Sequence, residues 1–310
     1  MSVGDVDQIG SLTAQGERAA FHGRPLDGLA PLGQAVSLAR AAGDLDRGAR
    51  ASWLAGVCLS AMGRYGAAIS QLHPVLADVS TPVRANFAGL AATTMASVQR
   101  QLNRYDDSRK YDEWAVAAAA GNFEVLTDAW MGLAADAIGA GDISQAEQCL
   151  ARASRYYFGR DEWRTSLRIE WVRTEISLTR GDAATAIEYA EDALSRAEAS
   201  DAPRHVAKSL LFLGSSLYTS AQRTPAAEPA ALARAMTTLR RCAALAQSLG
   251  ALPLVWPAHL LLAVALPDQD PARGVHRAAA ATAVREILSD LPAPIASGWS
   301  ALPEIADLLR

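Results

Sequence analysis

A turn signal recurs along this chain at a nearly constant interval. Gly23, Gly63, Asn103, Gly141 and Gly181 follow one another at steps of 40, 40, 38 and 40 residues. A fixed interval of this size marks one supersecondary unit copied along the chain, and it constrains the fold more tightly than composition does. Gly and Asn tolerate the left-handed backbone that ends a helix. Each signal stands between two stretches with helical patterning, so each unit reads as helix, tight turn, helix, looser turn. Further stops at Ala42-Gly43-Asp44, Ala120-Gly121-Asn122 and Ser248-Leu249-Gly250 close several second helices. One such helix pair cannot bury its apolar face alone, so the pairs must stack. The units fall near 7–43, 44–80, 81–121, 122–160, 161–201, 202–250 and 251–290, with a capping segment over 291–310, all in a single domain.

Half of the residues are apolar and only 6% are aromatic. Much of the apolar content is Ala, as at Ala115 and from Ala117 to Ala120, which favours helix and close helix contact over sheet. The fold class expected is all-α. In the helix from Arg164 one stripe, Thr165, Ile169, Val172 and Ile176, is the packed face, and Arg164, Arg168, Trp171 and Glu175 form the opposing stripe.

Chemistry is sparse. A net charge of −4 and a pI near 5.8 give no support to direct nucleic-acid binding. Cys58, Cys149 and Cys242 lie too far apart for a metal site or disulfide framework and read as small buried hydrophobes. No glycine-rich phosphate loop or nucleophile elbow is present. The histidines, His22, His73, His205, His259 and His276, have no histidine partner three or four residues away, and read as surface or capped residues. The acid pairs Asp106-Asp107, Asp161-Glu162 and Glu191-Asp192 read as helix-dipole complements or outer-face charges rather than an acid/base dyad. No signal peptide is recognisable, and the most apolar window, Ala251 to Leu266, carries Pro253, Pro257 and His259 and reads as a buried helix. The expectation is therefore a soluble cytoplasmic protein that is not an enzyme, with no metal, cofactor or membrane partner.

The unit from Thr127 carries Trp130, Leu133, Ala134, Ala137, Gly141, Ala146, Leu150 and Ala153. The unit from Ala49 carries Ala55, Gly56, Leu59, Gly63, Tyr65, Ala68, Leu72 and Val75. A later unit carries Leu210, Leu213, Gly214, Leu217, Ala235, Leu239 and Cys242, with Thr224 to Pro229 as a longer turn between its halves. These spacings resemble the tetratricopeptide repeat, W-x2-L-G-x2-Y followed by A-x3-F. The period near 40 exceeds the usual 34. It resembles the long-helix variant found in sensor regions of large bacterial transcription regulators, to whose chain ends the segment with Trp299, Pro303-Glu304 and Leu308-Leu309 is also similar. The resemblance implies a right-handed superhelical solenoid of about seven antiparallel hairpins with a C-terminal capping helix.

It also implies that the first helices line a concave groove. Carried across residue by residue, that lining is Arg50, Trp53, Val57, Asn86, Leu90, Thr93, Ser97, Arg100, Glu124, Asp128, Met131, Arg168, Trp171, Glu175, Arg204, Lys208, Leu211, Ser215 and Tyr218. Trp53, Met131, Trp171 and Tyr218 would be exposed on one side. Arg164, Arg168, Arg204 and Lys208 would gather at one end beside Trp171, Leu211 and Tyr218, with an acidic end around Glu124 and Asp128 opposite. Such a groove suits a protein or peptide partner, an acidic segment or chain terminus with a hydrophobic anchor. The alternatives are a small-molecule-sensing regulatory domain acting through a partner, or merely solvated helix faces. The cluster Arg155-Tyr156-Tyr157-Phe158-Gly159-Arg160-Asp161-Glu162-Trp163 reads either as an aromatic contact patch or, preferably, as bulk filling a gap between hairpins.

Overall fold

The fold was described from a computed structural model, which covers residues 3–157, 162–223 and 228–310. Among these residues there are sixteen helices and no strand. In order they are α1 Val3–Phe21, α2 Pro25–Ala42, α3 Leu45–Met62, α4 Tyr65–Leu76, α5 Pro82–Gln101, α6 Tyr105–Ala118, α7 Phe123–Gly139 and α8 Ile143–Tyr157. They continue as α9 Trp163–Arg180, α10 Ala183–Ala199, α11 Pro203–Arg223, α12 Glu228–Ser248, α13 Leu252–Ala265, α14 Pro271–Asp290, α15 Ala293–Ser300 and α16 Pro303–Leu309. Of the longer turn expected from Thr224 to Pro229, residues 224–227 lie outside the described residues, as does the centre of the aromatic cluster, 158–161, while Glu228 and Pro229 belong to α12 rather than to a turn.

All five recurring turn residues adopt positive φ: Gly23 70°, Gly63 81°, Asn103 57°, Gly141 75° and Gly181 80°. The stops at Gly43, Gly121 and Gly250 do the same. Starts are set by side chains: Asp44, Thr81, Asn122, Asp182 and Asp270 each accept from a backbone N–H in the first turn of the helix that follows.

Each helix packs on the next, and the odd-numbered helices α1 to α13 also pack on one another in sequence. Small residues make this possible. A Cβ at Gly56 would lie 2.5 Å from a Leu72 methyl, and one at Gly214 would lie 2.6 Å from a Leu239 methyl. Ala68, Ala134, Ala146, Ala186 and Ala235 are fully buried at the matching positions. Cys58, Cys149 and Cys242 are buried among them, and burial pushes the Cys58 and Cys242 thiols up to about 12.

The stack then returns on itself. The α3–α4 corner meets α13 and α14: Asp290 Oδ2 accepts from the backbone N–H of Gly66 at 2.7 Å and of Ala67 at 3.2 Å, and Arg64 pairs with Asp290 at 3.2 Å. Asp290 thus caps α4, whose own N-cap residue, Arg64, offers no side-chain bond. The α1–α2 corner meets the α10–α11 turn, where Arg24 pairs with Asp201 and Gly23 lies against Arg204. The α5–α6 corner meets α16 through Asn103 and Glu304. The cap is two short helices rather than one, because Leu302-Pro303 interrupts it. Trp299, Ile305 and Leu308 from the cap share a core with Tyr65, Val98, Leu102, Val284 and Ile287.

Candidate functional site

Closure turns the inner helix faces towards one another. A cavity of about 270 Å³ lies at the centre, with wall residues from every odd-numbered helix from α1 to α13, among them Ala20, Val57, Thr93, Met131, Trp171, Phe212 and Pro253. Of the groove residues expected from sequence, Trp53, Thr93, Arg100, Asp128, Met131, Arg164, Arg168, Trp171, Glu175, Arg204 and Lys208 line it, as do Val57 and Ser97. Arg50, Asn86, Leu90, Glu124, Leu211, Ser215 and Tyr218 do not. Arg50 is exposed on the outside and pairs with Glu17 at 2.7 Å, while Leu211 and Tyr218 lean on the cores between α11 and its neighbours.

Two expectations are corrected. Trp53, Met131 and Trp171 are not an exposed stripe; they are 5%, 3% and 5% exposed. Adjacent inner helices bury their flanks in one another, and each indole N–H is satisfied across that seam, Trp53 Nε1 donating to Thr94 at 3.2 Å and Trp171 Nε1 to Ser209 at 2.9 Å. Nor do acidic and basic ends oppose each other. Glu124 bonds Arg164 at 3.2 Å and Asp128 bonds Arg168 at 2.6 Å, each pair 40 residues apart. One repeat period places equivalent positions of α7 and α9 side by side, so these charges meet as neighbours.

Arg100 is held most firmly. Its Nε donates to Asp136 at 2.7 Å and its Nη2 to Asp112 at 2.6 Å, while Ser108 Oγ donates to Asp136 at 3.1 Å. Burial opposes the guanidinium charge, yet the two carboxylates hold it above its usual pKa. Asp112 is fully buried with Oδ1 unpartnered, and burial pushes its carboxyl well above the usual range. This triad is an internal support on one side of the cavity wall, with its carboxylates already matched to Arg100.

The α9–α11 wall differs. Arg204 donates Nε to the Ala61 carbonyl at 3.2 Å and bonds no carboxylate among the described residues. Burial and the Arg168 charge push it down, with Tyr65 and Cys58 acting against them. Lys208 places its ammonium 4.4 Å from the centroid of the Trp171 ring and has no hydrogen-bonded acceptor among the described residues. Burial drives its pKa down to about 8, opposed by Glu175 and assisted by Arg204, Arg168 and Arg100. Glu175 in turn is raised by burial.

No family model and no curated protein matches this sequence. What the chain does must therefore be read from its own geometry. His205 is the wall residue that sequence reasoning misread. It is 6% exposed, stacked 5.8 Å from Trp171 and edge-on 5.2 Å from Trp163, with Nδ1 unpartnered. Burial, then the surrounding cations, hold it well below its usual pKa, so the ring is neutral. Its position one residue after Arg204 at a helix start gave no signal by itself. His259 and His276, also read as separate, meet with Nδ1 atoms 2.9 Å apart, because α13 and α14 pack as a pair.

The remaining parts of the aromatic cluster are structural fill: Tyr156 packs against one core and Tyr157 against the next. A larger hollow, about 420 Å³, lies on the closure seam near Met62, Leu252 and Thr282. Its wall cation Arg64 is taken by Asp290, so the central cavity gathers the chemistry. Among the described residues no group of three or more metal-ligating side chains assembles, and no helix is long and apolar enough to cross a membrane.

Proposed function

We propose that this chain is a non-catalytic regulatory module that binds a small ligand inside its stack and acts through a partner protein. The reading carries over the tetratricopeptide-like architecture as a right-handed superhelix of seven hairpins. The first corner meets the sixth hairpin and the second corner meets the seventh, a constant offset of five that corresponds to one superhelical turn.

The carrying observation is the central cavity, whose wall draws residues from every odd-numbered helix from α1 to α13. Side chains from these helices converge on about 270 Å³. That favours a small molecule over a partner helix laid in an open groove. Small-ligand pockets start at roughly this size, and the many polar and charged side chains of this wall suit a charged ligand. A second reading, the carboxylate end of a partner chain entering the same cavity, draws support from Arg204 and Lys208 beside Trp171 and Phe212.

The test is native mass spectrometry of the purified chain after incubation with a cytosolic small-molecule extract, beside a Ser97→Phe variant that fills the cavity. A ligand retained by the wild type and lost from Ser97→Phe supports the reading. Equal retention by both overturns it. A tail-binding partner would instead be released when its terminal carboxylate is amidated.

A further inference from the structure

The five cations on the cavity wall are not equivalent. Arg100, Arg164 and Arg168 each bond a carboxylate. Arg204 and Lys208 do not. They stand four residues apart, one turn of α11, so both project from the same face. Arg204 uses only Nε among the described residues, leaving its two terminal amino groups for another acceptor. Lys208 is parked over Trp171 at 4.4 Å and Phe212 at 5.6 Å. Cation–π contact offsets part of its lost hydration but supplies no acceptor for its N–H groups. Next to Arg204 in the chain is His205, buried, neutral and with Nδ1 unpartnered among the described residues. Half-buried cations without a hydrogen-bonded counter-charge destabilise a folded chain. An oxyanion placed between them would reverse that, since Arg offers a planar fork and Lys a point charge.

We propose that Arg204 and Lys208, backed by Arg168, bind the oxyanion of a small molecule whose apolar body lies against Trp171 and Phe212. This rests on the cavity reading above and names the class of ligand: a carboxylate or phosphate carrying an apolar or planar group. Glu175 sits within Coulombic reach of Lys208. It sets the polarity of the site, disfavouring a second negative group on that side.

The test uses the full chain with two probes, inorganic phosphate and benzoate, each balanced by chloride to constant ionic strength at pH 7. Melting temperature and tryptophan fluorescence are followed. A saturable rise with phosphate assigns a phosphate ligand; a rise with benzoate assigns a carboxylate with an apolar body. Lys208→Met should remain helical by circular dichroism and bind the responding probe about tenfold or more weakly, as loss of a charge-assisted bond predicts. Arg204→Gln should do the same, and Arg234→Gln, on the outer face, should not. Wild-type affinity should fall from pH 7 to pH 9.5 as Lys208 deprotonates. No response to either probe, or equal response in Lys208→Met, overturns the proposal. A natural ligand retained equally by Lys208→Met and wild type would leave the cavity reading standing and remove this site alone.

Discussion

At the scale of single residues the inner wall holds charges that stabilise and charges that do not. Lys208 belongs to the second kind. Its folded pKa of about 8 lies below the ordinary 10.5, so between those values the unfolded chain binds more protons than the folded one. Wild-type stability therefore gains a rising contribution from pH 8 towards 10.5. Lys208→Met should melt higher than wild type at pH 7, and the gap should narrow as pH approaches 10. Paired thermal melts across that range check the sign. The Arg100 triad behaves oppositely. A Cβ at Gly132 would lie 2.0 Å from Asp112 Oδ2, so Gly132→Ala displaces that carboxyl from Arg100. Disrupting a buried ion pair costs on the order of 3 kcal/mol, readable as a shift in the urea midpoint. By contrast the exposed Arg241–Glu198 pair on the outer face is worth at most about 1 kcal/mol, and Arg241→Gln should be nearly silent.

At the scale of elements, backbone spacing decides the outcome. Gly56 and Ala146 sit where paired helices touch, and Gly56→Leu or Ala146→Leu should each cost about 1–3 kcal/mol by overpacking. Melting temperatures unchanged in both would show that the repeat register is wrong. Gly66 has a different task. A Cβ there would lie 1.8 Å from the Asp290 carbonyl oxygen, which is backbone and cannot step aside. Gly66→Ala should therefore part α4 from α14 without disturbing the hairpins on either side. Hydrogen exchange should rise at Gly66 and Ala67, whose N–H groups bond Asp290, while α7 and α8 stay protected. Protection unchanged at Gly66 would mean that the closure tolerates the methyl group.

At the scale of the whole molecule, closure changes how the stack should unfold. Open helical repeats gain stability from nearest neighbours and can unfold piecewise. Here Val98 of α5 and Leu102, its C-cap residue, share a core with Trp299, Ile305 and Leu308 of the cap. Deleting residues 291–310 should therefore loosen α4 and α5 as well as α14. The wild type should unfold in one transition, and the deletion and Gly66→Ala variants in two, by calorimetry. A single unchanged transition in both variants would show that the seam contributes little cooperativity.

The sequence alone determined the helices, their pairing and the residues at the tight corners. These are local matters: a left-handed backbone needs Gly or Asn, and close helix contact needs Gly or Ala. The resemblance to tetratricopeptide repeats, carried across residue by residue, also marked about half of the cavity wall, Arg100, Arg168, Trp171, Glu175, Arg204 and Lys208 among them. Only the tertiary structure decided which of those charges have partners. Glu124 and Asp128 meet Arg164 and Arg168 because one repeat period brings equivalent positions together, whereas Arg204 and Lys208 bond no carboxylate among the described residues. Burial of Trp53 and Met131 and the neutral state of His205 also depend on neighbouring helices, which no local pattern reports. Closure is the least local feature of all. Asp290 meets Gly66 across 224 residues, a contact between helices that no local pattern places together.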